Sequence, residues 1–155
     1  MMIKYNDKWM QVAINEAKLA SNFSEVPVGA ALIDIKSDKL ISKSGNNIIR
    51  KSHPLAHAEI EVINKAVRRL KRKNLSDTAV YVTLEPCAMC AAAISEARIA
   101  KIYFGAYDIK KGSIENGIRI FSQNSYFRPE IYGGILETDC SKILKDFFHK
   151  LRNHQ

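Results

Sequence analysis

Two cysteines three residues apart, Cys87 and Cys90, follow directly on Pro86 and can do chemistry that few other residue pairs can. Proline is accepted at the first position of a helix, where its missing N–H leaves no hydrogen bond unmade. A helix opening there sets the cysteines at i and i+3 on one face of its first turn. Helical Cα–Cβ bonds tilt toward the N-terminus, so both sulfurs project toward the helix mouth, where the dipole favours thiolates. Such a pair serves as a redox dithiol or as two ligands of a divalent ion, and two thiolates alone leave zinc short of its usual set. His57 and Glu59, in the stretch Pro54 to Ile60, stand at a second helix start. A neutral imidazole from His57 completes a His-Cys-Cys set with one open position, the mark of a catalytic rather than a closed structural zinc site. A metal ion there lowers the pKa of water, and Glu59 is placed to take the proton. Residues i and i+2 point to different sides of a helix, but a zinc ion beyond the helix end is open to both side chains.

Strands and helices must bring these residues together. Asp7 to Ser21 carries Trp9, Met10, Ala13, Ile14 and Ala17 at helical spacing behind a capping Asn6 or Asp7. Pro27 to Ile35 reads as a strand, Lys36 to Lys39 as a turn, and Leu40 to Asn46 as the hairpin partner. A helix runs from about His57 to Lys71, with Ile60, Ile63, Val67 and Leu70 on one face. Ala79 to Leu84 is an apolar, β-branched run and so a buried strand. Cys87 to Ala97 is the next helix. Ile99 to Phe104 forms a strand that Gly105 ends. Residues 107 to 130 read as irregular, Ile131 to Leu136 as a short strand, and Asp139 to Leu151 as the last helix. This order predicts a three-layer α/β/α sandwich around a mixed sheet of about five strands, in one domain spanning residues 1–155.

The His-x-Glu of residues 57–59 followed by Pro86-Cys87-x-x-Cys90 is a zinc-deaminase signature. With Thr83-Leu84-Glu85 before it, the chain resembles the cytidine deaminase-like superfamily, and within it the bacterial tRNA-specific adenosine deaminases. The likeness covers nearly the whole chain. It includes Val26 to Ala30, Ala97-Arg98-Ile99, Phe104-Gly105-Ala106 with Asp108, and Phe147-Phe148. The resemblance implies conversion of adenosine to inosine at the first anticodon position of a tRNA, with the arginine tRNA bearing ACG as substrate and one Zn2+ per subunit. It also implies a flipped-out base contacted by Asn46, a pocket lined by Val28, Ala58 and Pro86, and Asp108 near the RNA backbone. A homodimer is implied as well. Two segments depart from that family: Lys110 to Asn116 replaces a loop of small residues, and Tyr126-Phe127-Arg128 stands where an Asn-His pair is usual.

Composition narrows the partners. The 155 residues carry a net charge of +8, which favours a polyanion such as RNA over a neutral metabolite. Lys65, Arg68, Arg69, Lys71, Arg72 and Lys73 crowd the end of the second helix, where they also complement its dipole. Lys142, Lys145, His149, Lys150 and Arg152 mark the last helix, and Phe148 among them could stack on a base of the anticodon stem-loop. No apolar run spans a membrane, and Met1 to Lys8 has no signal-peptide core, so a cytoplasmic location is expected. Three cysteines argue against a disulfide framework, and Cys140 reads as a core residue. Two other functions fit parts of this pattern: a deaminase of a free base or nucleoside such as guanine or cytosine, which needs no basic helix, and a noncatalytic zinc-stabilised RNA-binding subunit, which needs no Glu59.

Overall fold

A computed structural model of the chain describes residues 7–154. The expected cap at Asn6 and the opening segment before it lie outside the described residues. The elements in order are α1 (Asp7–Ser21), β1 (Gly29–Asp34), β2 (Lys39–Gly45), α2 (Ala58–Leu70), β3 (Thr78–Leu84), α3 (Ala88–Glu96), β4 (Lys101–Ala106), a 3-10 turn (Ile120–Ser122), β5 (Glu130–Tyr132) and α4 (Glu137–Asn153).

The five strands form one sheet in the order β2-β1-β3-β4-β5. β1 is antiparallel to both neighbours, whereas β3, β4 and β5 are parallel. Four strands therefore end, and β1 begins, at the same edge of the sheet. That edge carries Val28, Asn46, Glu85, Pro86 and Asp108 just beyond the strand termini.

Strand alternation separates two apolar faces. Ala30, Leu32, Val80, Val82, Ile102 and Phe104 pack with Val62, Ala66, Ala91 and Ile94 of α2 and α3. Ala31, Ile33, Ala79, Tyr81 and Tyr103 pack with Met10, Ala13, Ile14 and Cys140 of α1 and α4. The sandwich is thus α/β/α, as the pattern predicts. Leu32, Val80, Ile102 and Phe104 have no exposed surface, and burying side chains of this size stabilises by about 1.5–3 kcal/mol each. Tyr81, Tyr103 and Tyr132 stack in a row across β3, β4 and β5, with centroids 4.5 and 4.9 Å apart.

Several boundaries differ from the sequence reading. His57 and Cys87 are not helical residues but the N-caps of α2 and α3, both in extended backbone. Gly105 does not end its strand. β4 continues through it to Ala106, which pairs with Leu84 of β3, and the glycine is needed because a Cβ there would come within 2.3 Å of the Cys140 sulfur. The strand expected over Ile131 to Leu136 is only Glu130–Tyr132, since Gly134 takes a positive φ and the chain turns into α4 from Leu136.

The basic end of α2 is largely engaged with the protein itself. Lys65 donates to Lys43 O, Arg69 to Ile41 O, and Arg72 to Asn74 O and to both carboxylate oxygens of Asp77. These side chains tie α2 to β2 and to the turn before β3.

Candidate metal centre

His57 reaches the sheet edge because α2 begins there, and α2 begins there because Asn46 holds its first turn. The Oδ1 of Asn46, directly after β2, accepts the N–H of Ala58 at 2.9 Å, and its amide donates to Val26 O at 3.1 Å. The loop between Asn46 and His57 is pinned by two buried carboxylates. Glu25, 1% exposed, accepts the backbone N–H groups of Ile49 and Arg50 and the Arg50 guanidinium. Glu61 pairs with Lys51 at 2.6 Å. Burial opposes the charge on Glu25, yet those donors hold its carboxyl below the ordinary value.

Cys87 and Cys90 arrive from β3 through Glu85 and Pro86. His57 Nδ1 lies 3.5 Å from Cys90 Sγ and 3.8 Å from Cys87 Sγ. The ligand atoms of the three residues lie within 4.8 Å of one another, and among the described residues this is the group able to hold a metal ion. The donor set fits a divalent ion such as zinc: two sulfurs and one imidazole nitrogen converge from two helix N-termini, one protein ligand fewer than a closed structural zinc site would have.

The electrostatics are those of a tightly packed cluster. The Cys90 thiol lowers the pKa of Cys87 against the opposing effect of burial, and with His57 brings it down to about 4. Cys90 is pushed up by its neighbour Cys87 and by burial. His57 is raised, first through its hydrogen bond with Cys87. Glu59 is 4% exposed and faces the Cys90 thiol. Burial lifts its carboxyl to about 7, where it can both take and give a proton near neutrality.

Val28, Ala58 and Pro86 are buried at the same edge, and Asp108 is half-buried there. α4 starts at this edge and runs down the other face of the sheet, where Asp139, Lys142, Ile143 and Asp146 share a groove with Gln11, Ile14 and Lys18 of α1. Phe148 follows on the far part of α4, 40% exposed and edge-on to Phe147.

Sequence reasoning passed over Glu85. Its carboxylate is 2% exposed and accepts four backbone N–H groups and one side-chain amide from residues 108–116. Burial opposes its charge, but the Asn116 amide and these N–H groups hold its pKa below the ordinary value. The local signal is an acidic residue wedged between a buried strand and a proline that stands one residue before the α3 cap.

The chain belongs to the MafB19-like deaminase family, whose model matches residues 5–152. It is 48% identical to a tRNA-specific adenosine deaminase of Rickettsia bellii, over 93% of this chain and all of that one. A tRNA-specific adenosine deaminase of Aquifex aeolicus is 41% identical over 94% of this chain and 95% of its own. A solved structure from work on A-to-I editing by tRNA:A34 deaminases at the wobble position superposes with a TM-score of 0.87 at 43% identity, over 90% of this chain and all of that one. Guanine deaminase from Nitrosomonas europaea shares the fold, with a TM-score of 0.81 at 17% identity over 95% of this chain and 86% of its own. Among the described residues no helix is long and apolar enough to cross a membrane.

Proposed function

We propose that this chain is a zinc-dependent adenosine deaminase acting at the first anticodon position of tRNA, with the arginine tRNA bearing ACG as substrate. The observation that carries this reading is the convergence of His57, Cys87 and Cys90 beside the desolvated Glu59, in a chain 48% identical to a tRNA-specific adenosine deaminase over 93% of its length. His57, Cys87 and Cys90 hold the ion, one per subunit. When bound, zinc supplies Lewis acidity, which makes a water nucleophilic near neutral pH.

The chain's own residues do the rest. Glu59 takes a proton from the attacking water and passes it to the purine ring nitrogen, then takes the proton of the newly formed C–OH group and delivers it to the departing amine, which leaves as ammonia. Its burial suits this work, because a carboxylate desolvated to a pKa of about 7 gives up a proton as readily as it accepts one. Asn46, Val28, Ala58 and Pro86 form the walls against a base rotated out of its stack, and Asp108 stands toward the RNA backbone. The exposed Phe148 and the basic residues of α4 contact the anticodon stem-loop away from the reacting base. Residues 1–155 work as one deaminase domain, paired as a homodimer in the cytoplasm.

The test is to incubate zinc-loaded protein with unmodified arginine tRNA and, separately, with free adenine, guanine, cytosine and their nucleosides. Inosine at the first anticodon position, read as guanosine on sequencing, is expected from the tRNA. Ammonia released only from the free compounds overturns the reading in favour of a small-molecule deaminase.

A further inference from the structure

We infer that Glu85 is a positioning residue: its carboxylate clamps the 108–116 loop against Pro86 and Cys87 and so sets the RNA-facing rim of the site. The inference rests on the tRNA reading for what the rim binds, and on geometry for the clamp itself.

The two carboxylate oxygens divide the loop between them. Oε1 accepts Asp108 N at 3.1 Å and Asn116 Nδ2 at 2.7 Å. Oε2 accepts Ile114 N, Glu115 N and Asn116 N at 3.1, 2.9 and 3.0 Å. Three consecutive N–H groups converging on one oxygen form an anion-binding concavity, here filled by the protein's own carboxylate. Gly112 lies flat on that carboxyl, and a Cβ there would come within 2.5 Å of Glu85 Cδ and 2.4 Å of Asp108 O. The backbone continues the attachment: Ser113 N donates to Pro86 O at 3.0 Å, and Gly112 bridges to Cys87. One residue therefore links the loop to the strand that delivers both cysteines.

The loop's outer side is what the clamp presents. Ile109 is 85% exposed, and Lys110 and Lys111 are exposed beside it. Asp108 Oδ1 accepts the N–H groups of Lys110 and Lys111, which closes the turn and fixes both lysines relative to the clamp. A loop with two cations, tied by its backbone to Pro86 and Cys87, suits contact with phosphates flanking the reacting base. The departure of residues 110–116 from the family pattern thus has a structural counterpart, in which Asn116 supplies two of the five donors to Glu85.

Glu85→Gln tests this. The amide replaces one acceptor oxygen with a donor, which must oppose either Asp108 N–H or the three N–H groups on the other side. In the zinc-loaded variant, metal content is expected to match the parent while the amides of Ile114, Glu115 and Asn116 exchange about tenfold faster. The KM for a tRNA anticodon stem-loop is expected to rise by about tenfold or more, with kcat within about threefold of the parent. Adding Asn116→Asp gives the new amide an acceptor and should recover part of the KM loss. Unchanged exchange and KM, or a fall in kcat with KM unaltered, overturns the inference. Should Glu85→Gln not fold, Gly112→Ala, which wedges the loop off the carboxylate, must show the same exchange and KM changes, and parent-like values there overturn it. If the parent makes no inosine in tRNA, the functional reading falls separately, and amide exchange alone decides the clamp.

Discussion

The side-chain oxygen of Asn46 accepts the N–H of Ala58 across a gap of twelve residues, at 2.9 Å, and so fixes where α2 begins and where His57 stands. Asn46→Ala leaves the buried Ala58 N–H without its acceptor, while the Val26 carbonyl keeps the N–H of Val28. Loss of about 1–3 kcal/mol in urea unfolding is expected, together with weaker metal binding by chelator competition. Asn46→Asp keeps the acceptor for Ala58 but sets a carboxylate against Val26 O, so its stability should fall between the two.

Glu59→Gln keeps the shape of the site and removes the proton carrier. Metal content should stay at one ion per chain while turnover on tRNA falls by about 10²–10⁴-fold or more. Appreciable deamination by this variant would remove Glu59 from the mechanism.

Metal uptake should release protons. In the metal-free cluster Cys87 is held down to about 4, whereas the Cys90 thiol and the His57 ring are both raised. Ligation requires deprotonated Cys90 and neutral His57, so zinc binding near pH 7 should displace about one proton or more, and affinity should climb with pH. Calorimetry in buffers of different ionisation enthalpy measures the number. Chelation should lower the melting temperature, and Cys90→Ser should abolish that difference.

Glu25 predicts the acid side of the stability profile. Its carboxyl sits below the ordinary value of 4.5 in the folded chain. A depressed folded pKa contributes stability above the unfolded value, and that contribution is lost as pH falls through the folded one. Denaturation curves taken from pH 6 downward should show stability declining below about 4.5 in the parent. Glu25→Gln should be less stable at pH 6 and decline less steeply, and an unchanged acid limb would remove Glu25 from that account.

Gly105→Ala should destabilise the chain by about 1–3 kcal/mol or more, because its Cβ has no room between Cys140 and Thr83 O. Cys140→Ala alone leaves a small void. The two together should cost less than the sum of the singles in a double-mutant cycle, since the contact is shared.

Much of the fold was legible in the chain because its signals are local. Helical spacing marked α1 and α2, an apolar β-branched run marked β3, and Pro86 marked the approach to α3. The boundaries at His57 and Cys87 shifted by one residue because a cap and a first helical residue look alike in sequence. Gly105 was misread as a strand end. Its bare Cα serves Cys140, 35 residues later, and strand propensity does not register such a contact.

By itself the sequence determined the element order, the two apolar faces, the Cys87–Cys90 spacing and the likeness that points to a deaminase. Tertiary structure decided the rest: that His57 comes within 3.5 Å of Cys90 and that Glu59 is desolvated. It also decided that Glu25 and Glu85 bind loops rather than solvent. The physical reason is common to these cases. The donors around those carboxylates are mostly backbone N–H groups, which are alike in every residue but proline and carry no sequence signal until the strand order brings them together.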